Sequence, residues 1–191
     1  MRKIDEQKKQ TVEQAVLTIT KEEGIQGLSF GKIAKRAHVS SGAPYVYFED
    51  KTDMLSKMYI KAKVLFDESL QADIDSGQSM EKKIFLSVSH FARMYLDHPL
   101  EAMFITEVRA NPKLITEKAR VEGSALAHPL VDLYQAAAKQ DMLVSDNLEF
   151  VTLQLFAPFM MLITDRLAAD QSVTLDELNE IIMMSVKGIL R

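Results

Sequence analysis

The sequence predicts an all-α protein of about nine helices. Three observations carry that prediction. Apolar residues recur at i, i+3, i+4 and i+7 along most of the 191 residues. No stretch alternates cleanly enough to read as a strand. Only 7 Gly and 5 Pro punctuate the chain, and 47% of it is hydrophobic, enough to bury a core.

The first helix carries Val12, Ala15, Val16 and Ile19 on one face, with charges on the other. Gly24 ends it, because glycine tolerates the conformation that closes helices. Ser29 caps a second helix, Phe30 to Arg36, with Ile33 and Ala34 facing inward. A break follows at Ala37–His38–Val39. Ser40 is expected to cap a third, short helix with Pro44 in its first turn, where a missing N–H does least harm. Asp50 caps a fourth, longer helix whose apolar set is Leu55, Met58, Tyr59, Ala62 and Phe66.

"DSGQS" at Asp75–Ser79 breaks the chain before a helix over Ile84, Val88, Phe91 and Tyr95, which ends before Pro99. "NPK" at Asn111 and "HPL" at His128 punctuate further helices. The longest charge-free run, Phe150 to Thr164, contains Gln154 and Pro158. It is expected to be a buried helix, too short to span a bilayer, and kinked or broken by Pro158. "TLDE" at Thr174–Glu177 reads as a capping box for the last helix, which carries Leu178, Ile181, Ile182, Ser185, Val186 and Ile189.

Composition narrows the function. With no cysteine there is neither a disulfide scaffold nor cysteine-ligated zinc, which fits a cytoplasmic location. The opening "MRKIDEQKKQ" has no apolar run after it and is not a secretion signal. The net charge of −4 argues mildly against nucleic acid. Its distribution argues the other way. Residues 1–63 carry 12 Lys+Arg against 8 Asp+Glu, and residues 64–191 carry 11 against 19. The first segment suits a polyanion and the second does not. His38, His90, His98 and His128 are scattered, and His98 with Asp97 and Glu101 is the nearest approach to a metal site. Neither a G-x-S-x-G elbow nor a Gly-rich phosphate loop occurs, so no enzyme, metal or cofactor is expected.

Two short helices separated by a tight turn, in the basic segment, predict a helix-turn-helix. The turn wants a residue with positive φ, usually glycine. His38 holds that place, and histidine is among the few other residues enriched there. The second helix of such a pair lies in the major groove. Ser40, Ser41, Gly42 and Ala43 are small and let it approach closely. Serine hydroxyls and free N–H groups suit phosphates or base edges. Hydroxyls of Tyr45 and Tyr47 suit phosphate oxygens, Lys51 adds charge at the next helix start, and Ser29 reaches the opposite backbone. Taken alone, Tyr45, Tyr47 and Phe48 read as packing aromatics. Phe48 keeps that reading and Tyr47 stays open to both.

At these residues the sequence resembles the TetR family of bacterial transcription regulators. The resemblance covers Val12 to about Leu55. It rests on Gly24, Ser29, "IAKRAHVS" (Ile33–Ser40), Gly42 and "YVYFEDKTDML" (Tyr45–Leu55). It implies a three-helix DNA-binding domain, residues 1–51, joined by helix four to a ligand-binding and dimerisation domain, residues 52–191. It also implies a homodimer through the last two long helices, and DNA contacts at Ser29, Ser40, Ser41, Gly42, Ala43, Tyr45, Tyr47 and Lys51. Val46 stands where many members place a polar or aromatic contact.

In the remainder, Met94, Met103, Phe104, Phe156, Phe159 and Met160 are either core or the lining of an adaptable pocket, since methionine reshapes around varied ligands. The expected function is a ligand-responsive repressor that binds a near-palindromic double-stranded operator and is released by a small-molecule inducer, with no membrane partner. The competing readings are an activator, a regulator without ligand, and a helical small-molecule-binding protein without DNA function.

Overall fold

The computed structural model describes residues 5–191, so Met1–Ile4, part of the charged opening stretch and of the expected first domain, lie outside the described residues. The described residues hold eleven α-helices: α1 (Glu6–Glu23), α2 (Phe30–Arg36), α3 (Pro44–Tyr47), α4 (Lys51–Asp67), α5 (Leu70–Asp75), α6 (Met80–Asp97), α7 (Pro99–Ala110), α8 (Glu117–Ala125), α9 (His128–Lys139), α10 (Leu148–Ala168) and α11 (Leu175–Ile189). Two 3-10 turns, Ile25–Gly27 and Pro112–Leu114, complete them. The fold is all-α, as expected.

The chain forms two compact units interleaved in sequence. The first comprises the described residues up to Leu65 together with His98–Leu126. The second comprises Phe66–Asp97 and Ala127–Arg191. The expected functional division at 51/52 is linear, whereas these units are not.

In the first unit the apolar stripe of α1, Val12, Val16 and Ile19, meets Ile33 of α2, Met54 and Leu55 of α4, and Phe104 and Val108 of α7. Each such side chain contributes roughly 1.5–3 kcal/mol on burial. Polar groups fix the register. The Thr116 N–H donates to Ser56 Oγ at 2.9 Å, and Thr116 in turn caps α8. Gly123 of α8 lets the Tyr59 ring lie against the helix, since a Cβ there would stand 2.4 Å from Tyr59 Cε1.

In the second unit α6 packs on α5, α9, α10 and α11. Val151, Leu155, Phe159 and Ile163 form the buried stripe of α10, each one turn from the next. Rings of Phe91, Phe156, Phe159 and Tyr95 join at centroid distances of 5.3 to 5.8 Å. The capping box at Thr174 forms as expected, with Thr174 and Glu177 each bonding the other's backbone N–H. An antiparallel bridge between Leu143 and Leu190 ties the segment before α10 to the chain end.

Three local readings change. The expected third helix does not start at Ser40. A helix from Ser40 needs an N–H at Pro44 for the Ser40 carbonyl, and proline has none. The chain closes a tighter turn instead, Ala43 N–H to the Ser40 carbonyl at 2.8 Å, and α3 begins at Pro44. The fourth helix, Lys51–Asp67, holds its expected apolar set through Phe66, but an unexpected short helix, α5, follows it, because Ser69 takes a left-handed φ of 64° before the break expected at Asp75. Pro158 does not break α10, which runs 21 residues through it. The carbonyl it strands belongs to exposed Gln154, where solvent can replace the missing bond.

Among the described residues α10 is the one helix long and apolar enough to cross a membrane, yet it packs on α6 and α11. Only 22% of its most apolar window is buried. Phe150, Leu153 and Met161 lie exposed along its other side, as does Met184 of α11.

Candidate nucleic-acid interface

The site begins at the end of α1. Gly24 adopts φ 73° and donates its N–H to the Thr20 carbonyl, closing the helix. Ser29 then caps α2, its Oγ accepting the Lys32 N–H at 3.3 Å. The exit from α2 is a Schellman motif. Val39 N–H donates to the Ala34 carbonyl and His38 N–H to the Lys35 carbonyl. His38 occupies the left-handed position with φ 53°, as its place in the sequence predicts. Two helix ends are thereby set by backbone geometry, and α3 is aimed by them.

Ser40, Ser41 and Gly42 are exposed, and Ala43 is half-buried. A Cβ at Gly42 would meet nothing within 4 Å, so this glycine fills no packing need and leaves the approach to α3 clear. Tyr45 is 64% exposed. Its ring rests edge-on against Phe30, centroids 4.5 Å apart, and its hydroxyl makes no hydrogen bond among the described residues. Tyr47 is half-buried and donates its O–H to the Asp5 carbonyl at 3.2 Å, so its single proton already has an acceptor. Phe48 is 2% exposed and belongs to the core, as expected. Val46 is an exposed aliphatic side chain beside Tyr45.

The cations divide into two groups. Lys32 pairs with Glu23, Arg36 with Glu22, Lys57 with Asp53 at 2.7 Å, and Lys61 with Glu13. The Arg36 guanidinium beside Glu22 holds that carboxyl below its usual range. Burial pushes the Asp53 carboxyl up, but bonds from Lys57 and the Glu49 N–H outweigh it and leave it lowered. Lys35 on α2 and Lys51 at the first position of α4 make no ion pair within 4.0 Å among the described residues. Lys51 therefore sits at a positive helix end with its charge uncommitted. Asp50 caps that end, accepting the Asp53 N–H at 2.8 Å. Lys35 was not singled out from sequence. Its signal is only visible once neighbouring cations are seen to be paired.

The six pocket candidates separate. Met103 and Phe104 belong to α7 in the first unit, Met103 exposed and Phe104 wholly buried in the core. Met94, Phe156, Phe159 and Met160 belong to the second unit, where Phe156 and Phe159 touch at 5.6 Å. Phe159 is wholly buried and the other three are half-buried.

This geometry can be set beside known proteins. Residues 17–58 match the domain of bacterial regulatory proteins, tetR family. The fatty acid metabolism regulator protein of Bacillus subtilis (strain 168) is 30% identical over 105 residues, which are 54% of this chain and 54% of that protein. The match thus spans about half the length of that relative. A TetR family transcription regulator from Marinobacter aquaeolei VT8 shares the fold with a TM-score of 0.85 and 17% identity, over 100% of this chain and 99% of that one. The fatty acid degradation regulator FadR from Bacillus halodurans superposes with a TM-score of 0.73 and 18% identity, over 98% and 97%. At such identities the solved structures speak to fold alone. The matched domain is that of regulatory proteins rather than enzymes. Residues 17–58, which hold the helix-turn-helix, are thus a domain of the tetR family of bacterial regulatory proteins, and the full chain has the fold of the solved TetR-family regulators.

Proposed function

We propose that this protein is a ligand-responsive transcriptional repressor that grips a near-palindromic operator as a homodimer in the cytoplasm. One observation carries the DNA reading: the small exposed face Ser40–Ala43 leads into α3 beside exposed Tyr45 and the uncommitted charge of Lys51. In this reading residues 1–51 are the DNA-binding part and residues 52–191 the remainder. Ser40, Ser41, Gly42 and Ala43 let α3 into the major groove. Ser29, Tyr45 and Lys51 hold phosphates on either side, and Tyr47 joins them by giving up its bond to Asp5. Exposed Val46 suits a thymine methyl group, an apolar contact at a place where relatives more often use a polar one.

The dimer reading rests on the exposed apolar side of α10 and on Met184 of α11, too large a set for scattered surface residues. The relatives' names concern fatty acid metabolism, and we take genes of that metabolism as the regulated set. Met94, Phe156, Phe159 and Met160 are the stronger candidates for inducer contact, since they share one unit; Met103 and Phe104 do not share it. The test is fluorescence anisotropy with the labelled upstream region of its own gene at low salt, against unlabelled random DNA. Preference for the upstream region of less than about tenfold, below the usual specificity ratio, sinks the proposal. Reporter output after deletion of the gene distinguishes a repressor from an activator.

A further inference from the structure

The second unit holds a cavity of about 120 Å³ between α6 and α11. Ser89, Ala92 and Arg93 line it from α6, and Leu178, Asn179 and Ile182 from α11. Ser89, Ala92 and Arg93 stand at i, i+3 and i+4 and so share one helix face. Ser89 is 95% buried (5% exposed), and its hydroxyl has no hydrogen-bond partner among the described residues. Ser87, two residues away, does bond its own helix, to the Ile84 carbonyl at 2.8 Å. A buried hydroxyl left unpaired costs about 1–3 kcal/mol, so its place against a cavity is informative.

Arg93 stands at the mouth of the same cavity. One of its five N–H groups donates to Asp73 Oδ2 at 2.6 Å. That same oxygen faces His90 Nδ1 at 2.7 Å. The other ring nitrogen of His90, Nε2, lies 2.9 Å from the Phe66 carbonyl in the last turn of α4. Both ring nitrogens thus face oxygen atoms. The cavity is therefore joined to the end of α4 by Arg93, Asp73, His90 and Phe66, all within one unit.

We propose that this cavity binds a short-chain carboxylate, and that binding acts on the end of α4 through Asp73 and His90. The carboxylate takes free N–H groups of Arg93 and the Ser89 hydroxyl, and its alkyl part lies on Leu178 and Ile182. Size sets the class. An apolar cavity of about 150 Å³ admits benzene, six heavy atoms, so about 120 Å³ holds about five, which with the carboxylate on Arg93 suits a chain of about three to four carbons. A second anion on Arg93 weakens the hold of Arg93 on Asp73, and with it the support of the His90 bridge. The site stands on its own geometry; the effect on DNA rests on the regulator reading above.

The test titrates the full-length protein with sodium butyrate by calorimetry, at ionic strength fixed with sodium chloride. Saturable binding of one butyrate per chain is expected. Arg93→Gln weakens it at least about tenfold, the cost of a charged hydrogen bond. Ser89→Ala weakens it less and guards against misfolding of the arginine variant. Octanoate binds no tighter than butyrate. Failure to saturate, unchanged affinity in both variants, or octanoate binding tenfold tighter overturns the site. Operator affinity is then measured with and without saturating butyrate. A loss of at least about threefold that vanishes in Asp73→Asn supports the link to α4, and no loss overturns it. A protein that binds butyrate but no DNA refutes the regulator reading and leaves the site standing.

Discussion

Lys51 offers the sharpest test of the DNA interface. It is the first residue of α4, half-buried, and makes no ion pair among the described residues, whereas Lys57, six residues later, is held by Asp53 at 2.7 Å. An uncommitted lysine at a phosphate releases a counterion on binding, and a dimer carries two of them. Lys51→Ala should therefore flatten the plot of log affinity against log salt by about 1.8, at about 0.9 per phosphate. Between about 50 and 200 mM salt, that difference is worth about twelvefold, so the wild type loses about twelvefold more affinity over the interval than the variant. Anisotropy titrations at four or five potassium chloride concentrations give both slopes. Lys57→Ala is the control, with a smaller slope change because its charge is already balanced. If Lys51→Ala weakens binding with the slope unmoved, the lysine acts on the fold of α4 and not on a phosphate. Equal slope changes in the two variants would remove the distinction between paired and unpaired cations altogether.

Other consequences are open to measurement. Tyr45→Phe keeps the ring on Phe30 and removes only the hydroxyl, two per dimer, so operator affinity should fall roughly thirtyfold, about 2 kcal/mol, at unchanged thermal stability. Gly123→Ala drives a methyl group to within 2.4 Å of Tyr59 Cε1 and should cost about 1–3 kcal/mol, lowering Tm by roughly 3–10 °C in a melting experiment. Leu153→Arg with Met161→Arg places two charges on the exposed side of α10, and sedimentation should then give the 21.6 kDa chain rather than its double. Acid unfolding reports on Glu22. Its folded pKa lies below the ordinary 4.5, so its stabilising effect is present above that value and fades as pH falls through the folded one. Glu22→Gln should make stability fall less steeply below about pH 4.5, and an unchanged acid limb would show that the Arg36 pair is screened by solvent.

What was legible in the sequence was local. Gly24, Ser29, Asp50 and Thr174 act within four residues of themselves, and each ends or caps the helix expected of it. His38 likewise needs only its neighbours to declare a left-handed turn. Phe48 was readable as core because a clustered aromatic ring is most often packing. Pro44 misled because its effect falls four residues back, on the Ser40 carbonyl, and not on itself. Ser69 gave no warning, since serine is rarely left-handed and nothing nearby marks the break. The division of the pocket candidates was out of reach. It depends on which unit α7 joins, a matter of contacts between residues far apart in sequence. The bridge at His90 was hidden for the same reason, since one acceptor is 17 residues away and the other is a backbone carbonyl 24 away. Pairing also decides which lysines count at the DNA face. Composition sums all of them, and only geometry separates Lys51 from Lys57.

In the dimer reading proposed above, the bare apolar side of α10 makes abundance a variable of folding. Phe150, Leu153 and Met161 gain little from the folding of a single chain, because they stay in water when it is done. Their contribution arrives only when a second copy covers them, and it then follows mass action. Each tenfold dilution above the dissociation constant removes about 1.4 kcal/mol per dimer from the apparent stability, and below that constant the contribution is gone. In a cell holding few copies, the chain then folds without that contribution. A modest rise in synthesis then increases occupied operators more than in proportion, so the response to gene dosage is steeper than the DNA affinity alone would give.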